Sequence, residues 1–290
     1  MKNDTTLGII SGLAATSIWG AMYVVSKAVM AVIPPFSLLT SRLVLGALSL
    51  LLVAVLQRKL RIRRGDFWRI LGVGFIGYGI SLGFQFVGTD LSTAANGSLV
   101  TSATPAFVLI FAALILREKI TSKRLIALIV SSLGVLAVID PRSAQLDSSL
   151  FWGNISLVAA ALTWALYSVL VRKVTRNVDV LAVSLVAFLG GVPTSVLLGT
   201  YEYNTQGFGE ITLGVVAGIL FLGIICTAVA MYLWNTAFAL LDASLASLTF
   251  FAQPVVGTLL GAVFLGEEIT PLFLFGGLLI GIGLVIASRE

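Results

Sequence analysis

Residues 94–121 read AANGSLVTSATPAFVLIFAALILREKIT, and residues 243–270 read ASLASLTFFAQPVVGTLLGAVFLGEEIT. One shift of 149 residues places Ala94 on Ala243, Ser98 on Ser247, Leu99 on Leu248, Pro105 on Pro254, Glu118 on Glu267, Ile120 on Ile269 and Thr121 on Thr270; further along, Gly134 falls on Gly283. Upstream, a shift of 145 aligns Ala14 with Ala159, Ala15 with Ala160, Trp19 with Trp164 and Val24 with Val169, and sets Lys27 opposite Arg172. The chain is therefore duplicated, with a short insertion or deletion between its halves.

Composition decides what the duplicated unit folds into. Of 290 residues, 58% are hydrophobic and 11% charged, with a mean hydropathy of +1.07, against about 25% charged residues in soluble domains. That surplus of apolar surface calls for lipid. Crossing a hydrocarbon core of roughly 30 Å takes about 20 apolar residues. This predicts spans near 7–28, 36–56, 69–88, 93–116 and 123–139, then 151–171, 180–200, 211–233, 243–265 and 271–288. Between them lie Pro34 and Pro35, the basic cluster from Arg58 to Arg64, Asp140 with Pro141, and the polar stretch from Tyr201 to Glu210. The apolar run from Leu7 has no small-residue cleavage pattern and reads as the first retained span.

The expected fold is an all-α integral membrane protein with ten transmembrane helices, helices 1–5 in residues 1–145 and helices 6–10 in residues 146–290. Five is an odd number, so the second unit enters the membrane from the opposite side and the repeats are inverted. Loop charge agrees. With the amino terminus in the cytoplasm, fifteen of the eighteen basic residues fall on that side and Arg142 alone in an external loop; Lys27 and Arg42 lie within or at the end of spans. This is the positive-inside bias, with both termini cytoplasmic. The cytoplasmic Arg117-Glu118-Lys119 becomes Gly266-Glu267-Glu268 in the second unit, losing both positive charges where the expected loop is external.

These residues resemble the EamA branch of the drug/metabolite transporter superfamily across both halves. The resemblance rests on Trp19, Gly20 and Lys27, on Pro35 and Arg42, and on the run from Ala94 through Pro105 to Glu118, Thr121 and Gly134; Trp164, Pro254, Glu267, Thr270 and Gly283 repeat it. The second half has no equivalent of Arg42 and carries Ala165 in place of Gly20. Residues 1–145 and 146–290 then each correspond to one EamA repeat. The resemblance, extending to the aromatic amino-acid exporter branch, implies a multi-pass carrier of a bacterial inner membrane, often an exporter of amino acids or related metabolites, with a central cavity between the repeats.

Several side chains are candidates for that cavity. Pro105 and Pro254 fall near the middles of helices 4 and 9, where each frees a backbone carbonyl; they are symmetric hinges at a binding site or static kinks. Asn96, Thr101 and Gln253 lie close by and offer hydrogen bonds to a solute or to neighbouring helices. Trp19 and Trp164 sit about midway along helices 1 and 6 as symmetry mates, and with Tyr23, Tyr78 and Tyr167 they are candidate cavity walls able to stack on a solute. Tyr232 and Trp234 read as members of an interfacial aromatic belt. Lys27 and Arg42 are candidate pathway charges that would attract a carboxylate; snorkelling to headgroups is the competing account.

Other functions are excluded or demoted. The net charge of +5 and pI near 9.6 belong to cytoplasmic loops rather than to nucleic-acid binding. Cys226 is the only cysteine and histidine is absent, so neither a disulfide nor a metal site is expected. Gly72, Gly74 and Gly77 match a dinucleotide fingerprint but lie in an apolar helix. The pairs Gly79 with Gly83, Gly214 with Gly218, and Gly277 with Gly281 read as close helix packing. No phosphate-binding loop, catalytic residue, cofactor or metal is called for. The Asp and Glu residues fall in loops or at span ends, which leaves no membrane-centre proton relay and suggests a facilitator or exchanger. The expectation is a secondary transporter, alone in the bilayer as a monomer, moving amino acids or similar small metabolites by alternating access; a quaternary-ammonium or drug carrier is the alternative.

Overall fold

A computed structural model of the chain describes residues 2–57, 62–92, 100–139, 151–265 and 271–288. Among these residues all regular structure is helical. The rods are α1 (Lys2–Met30), α2 (Pro35–Leu56), α3 (Arg64–Leu91), α4 (Thr104–Leu116), α5 (Ser122–Ile139), α6 (Phe151–Thr175), α7 (Val180–Gln206), α8 (Leu213–Leu240), α9 (243–265) and α10 (Pro271–Ser288). Six of them, α1, α2, α3, α6, α7 and α8, are long and apolar enough to cross a membrane; α4 and parts of α9 and α10 are shorter apolar helices. α5 begins with Lys123 and Arg124, which lower the hydropathy of its first turn.

Physical reasons for the helix ends are visible. Pro35 opens α2, where its missing N–H costs nothing. The Asp179 carboxylate accepts from Leu181 N at the start of α7, and Thr212 Oγ1 accepts from Val215 N at the start of α8. Gly207, at φ +69, stops α7. The stretch expected as a connection from Tyr201 is thus helical through Gln206. The cause is tertiary: Glu202, in the last turns of α7, accepts from Phe36 N at 2.8 Å and Ser37 N at 3.0 Å and so caps α2. α8 likewise continues to Leu240, seven residues past the expected span.

Several rods change winding partway along, α4 among them with a π-helical last turn at Ala112–Leu116. α3 passes into a wide π-helical turn at Phe75–Ser81 and α8 does so at Phe221–Val229, corresponding places in the two halves. Before Pro105 the chain makes a turn at Ser102 and Ala103, and before Pro254 a tight 3-10 turn at Thr249–Phe251. Each proline therefore lies in the first turn of a new helical segment, where proline is tolerated, rather than at the centre of an unbroken helix.

The halves pack into each other. α1 lies against α8 and α9, α6 against α3 and α4, α2 against α7, and α5 against α10. Close backbone approaches make some of these contacts. A Cβ on Gly20 would lie 2.9 Å from Gln253 O and Gly257 N of α9, and one on Gly74 or Gly190 would strike backbone atoms at the α3–α7 crossing. The small-residue pairs expected to pack do so only in part. Gly83 faces Phe36 and Gly218 faces Val29, but Gly277 and Gly281 have nothing within 4 Å of an added Cβ, and Gly134 and Gly283 make the α5–α10 contact instead. Spacing alone does not say which face of a helix meets protein.

The outer surface carries Leu48, Leu52, Leu56, Leu114, Leu197 and Leu278, all exposed, while Ser, Thr, Asn and Arg side chains are buried within. Such an apolar exterior fits lipid as solvent.

Candidate functional site

One face of α1 presents Trp19, Met22, Ser26 and Met30 at helical spacing, and the facing surface of α3 presents Ser81, Leu82, Gln85, Phe86 and Thr89. Between them lies a narrow chamber, bounded by Thr101 and Thr104 on either side of the turn before Pro105, by Ala160, Ala161 and Trp164 of α6, and by Met231, Phe250 and Gln253. Three aromatic side chains, Trp19, Trp164 and Phe250, stand in its walls. The Trp19 and Trp164 rings meet edge-on with centroids 5.7 Å apart, and Phe250 lies 6.2 Å from Trp19. Polar groups are few, and Gln253 is 3% exposed with its Oε1 lacking a hydrogen-bond partner among the described residues. No ionisable side chain lines the described chamber.

A second layer holds these walls in place. Trp19 Nε1 donates to Cys226 O, in the wide turn of α8. Trp234 is fully buried, donates to Ser168 Oγ at 3.0 Å and stacks on Trp164. It is a structural support of the chamber, not part of an interfacial belt, because α8 extends past it. Tyr78 and Tyr167 are wholly buried behind Trp164 and share a hydroxyl hydrogen bond; Tyr167 donates to Asn235 Oδ1, and Asn235 Nδ2 donates to Ser184 Oγ. Fully satisfied polar chains of this kind rigidify a core.

Of the residues singled out in the sequence, the structure thus gathers Trp19, Thr101, Trp164 and Gln253 around one space and sets Tyr78 and Tyr167 behind it. Asn96 lies outside the described residues, as does the side chain of Tyr23. Met22, Ser81, Gln85, Met231 and Phe250 were missed: nothing in their local pattern distinguishes them from ordinary span residues, although Phe250 lies four positions before Pro254.

Beyond the chamber, Met22 and Gln85 also line a small pocket that holds Arg42, and Met30 stands between this pocket and a surface vestibule bordered by Pro34, Pro35, Asp90 and Gln206. Arg42 is fully buried. Its Nε donates to Thr227 Oγ1 at 3.1 Å, its Nη2 meets Met22 Sδ at 3.3 Å, and its guanidinium lies 5.2 Å from the centre of the Phe86 ring. Snorkelling therefore does not describe Arg42.

Lys27 and Arg172 make related contacts at opposite ends of the bundle. Lys27 Nζ donates to Thr89 O at 3.1 Å and Asp90 O at 3.4 Å, on the last turn of α3. Arg172 Nη1 donates to Phe238 O and Ala239 O, on the last turn of α8. Lys27 corresponds to Arg172 under the 145-residue shift, and Thr89 and Asp90 correspond to Phe238 and Ala239 under the 149-residue shift. Cations on the free carbonyls of a helix C-terminus are favourable in both places.

Ion pairs brace the Arg172 end as well. Asp242 pairs with Arg124 and, at 3.6 Å, with Arg172. Glu118 caps the start of α9, accepting from Ala243 N at 2.9 Å and from Ser244 N and Oγ, and lies 3.6 Å from Arg124. Glu118 and Arg124 come from one half, Arg172 and Asp242 from the other.

An all-helical, lipid-compatible bundle with a buried aromatic chamber and distinct closures at its two ends defines a multi-pass membrane transporter. The model of the EamA-like transporter family matches this chain twice, over residues 6–139 and 151–289, and the chain belongs to that family. The uncharacterized transporter YoaV of Bacillus subtilis is 27% identical over 285 residues, covering 96% of this chain and 94% of that protein. An uncharacterized transporter of Archaeoglobus fulgidus is 25% identical over 283 residues, covering 97% and 98%. A solved crystal structure shares the fold, with a TM-score of 0.81 at 20% identity over 97% of this chain and 96% of its own. The protein is a secondary transporter of the drug/metabolite superfamily and not an enzyme.

Proposed function

We propose that the chain is an exporter or exchanger of amino acids or related small metabolites in a bacterial inner membrane, built from two inverted five-helix repeats, 1–145 and 146–290, that alternately expose the chamber to either side. The observation that carries this reading is the chamber itself: repeat-related Trp19 and Trp164 meet edge-on in its wall at the junction of the halves. Inverted topology is supported by reciprocal packing, since α1 on α8 and α9 is mirrored by α6 on α3 and α4. It is also supported by the Lys27 and Arg172 contacts at opposite ends. Interruptions before Pro105 and Pro254 favour their role as paired hinges, because broken helices in corresponding places mark the binding site of repeat transporters. The basic residues at the Arg172 end favour a cytoplasmic location for that end and for both termini.

The solute meets two aromatic faces and a small set of hydroxyls and amides, a surface suited to a flat or apolar side chain. Arg42 in the adjoining pocket disfavours a quaternary ammonium, which the aromatic walls would otherwise accept. Purified protein in liposomes, preloaded and tested for counterflow with radiolabelled aromatic and aliphatic amino acids and with choline, tests the reading. Exchange of an amino acid without an imposed proton gradient is expected. Choline exchange without amino-acid exchange refutes the cargo assignment, and folded protein that exchanges no solute refutes the carrier.

A further inference from the structure

The Arg42 pocket has a composition unlike that of the chamber. It gathers a buried guanidinium, the Gln85 amide, the Phe86 ring and the Ser26 hydroxyl. Ser26 is 5% exposed, and its Oγ has no hydrogen-bond partner among the described residues, an arrangement that costs free energy unless something else occupies the site. The guanidinium is also held in a fixed pose. Thr227 Oγ1 donates to Leu222 O at 2.7 Å, so its lone pair is turned to accept from Arg42 Nε. Phe86 holds one face of the planar group. A rigid guanidinium beside a hydroxyl donor matches the geometry of a carboxylate, which accepts several hydrogen bonds and pairs well with arginine.

Position strengthens the case. Met22 and Gln85 belong to the walls of both the pocket and the aromatic chamber, so the two spaces adjoin across these two unbranched side chains. Met30 separates the pocket from the surface vestibule. Methionine is the most adaptable apolar side chain and yields easily to a passing solute.

We propose that this pocket is a carboxylate subsite, in which Arg42 and Ser26 hold the acid group of the cargo while its apolar body lies in the chamber against Trp19 and Trp164. The inference rests on the transporter reading of the chamber and narrows it to acids, amino acids included.

The test uses the full chain in a neutral detergent, so that no anionic headgroup competes, with tryptophan fluorescence as the readout and three probes: 3-phenylpropionate, 3-phenylpropionamide and phenethylamine. Wild-type protein is expected to bind the acid roughly 10- to 100-fold more tightly than the amide, the range of one or two charge-assisted hydrogen bonds. Arg42→Gln is expected to bind acid and amide alike. Ser26→Asp supplies a fixed carboxylate next to Arg42, so it retains a paired interior and is expected to lose the acid while keeping the amide. Equal binding of acid and amide by the wild type, with both lost in Trp164→Ala, overturns the subsite and leaves the chamber reading intact. Failure of all three probes overturns the chamber reading and the subsite with it. Preference for the amine overturns the subsite in favour of a cationic cargo.

Discussion

Replacing Glu118 by alanine removes the group that ties the first half of the protein to the start of α9. Its carboxylate, with a side-chain exposure of 9%, accepts from two backbone N–H groups and from Ser244 Oγ, and it pairs with Arg124. Losing a helix cap costs about 1 kcal/mol, and a hydrogen bond to a charged group is worth about 1.5–3 kcal/mol. The two overlap, so about 2 kcal/mol is the working figure. Asp242 is the less informative target, because at 48% exposure its ion pairs are screened and worth at most about 1 kcal/mol. If the Glu118 contacts exist only when this end is closed, 2 kcal/mol shifts the balance between closed and open by about 30-fold. The assay places a cysteine at Ala161, a chamber residue, in a Cys226→Ala background and measures its modification by a membrane-impermeant thiol reagent in right-side-out and inside-out vesicles. Glu118→Ala is expected to speed labelling from the Asp242 face and not from the Pro34 face. A lower melting temperature with unchanged labelling from both faces would refute the gate and leave Glu118 as a cap only.

Trp164→Phe should preserve folding and weaken binding of an aromatic solute, whereas Trp164→Ala should also lower the melting temperature through a core loss of about 3–5 kcal/mol; counterflow and thermal unfolding separate the two effects. Asn235→Leu strips partners from Tyr167 and Ser184, so a destabilisation of about 1–3 kcal/mol is expected, read by thermal unfolding in detergent. Gly74→Val, which places side-chain atoms on the Ala187 backbone, should abolish the folded, monodisperse protein in size-exclusion chromatography. Gly277→Ala, with open space around its Cβ, should instead raise stability by up to about 1 kcal/mol.

Much of the scaffold could be read directly from the chain because the bilayer imposes a one-dimensional rule: backbone polar groups must be satisfied inside each span, so apolar length marks the helix. That rule located most rods to within a few residues, and it failed where a tertiary cap extended one, as Glu202 does by binding the start of α2. Repeat arithmetic likewise brought Trp19 and Trp164 forward without coordinates, since paired positions in a duplicated chain are expected to meet at its axis. The same arithmetic missed Phe250, Met22 and Gln85, which have no counterpart of the same type to draw attention to them.

Hydropathy, the internal duplication and loop charge belong to the sequence alone, because each is a property of residue type and order. Which aromatic residues border empty space and which stand behind them, that Trp234 supports the chamber from within, and that Arg42 shares a pocket with Ser26 were decided only in three dimensions. The reason is geometric. Helix spacing restricts each side chain to a face, but the neighbour on that face depends on how rods far apart in the chain cross, and here those crossings are set by backbone approaches such as Gly20 on Gln253 and Gly257.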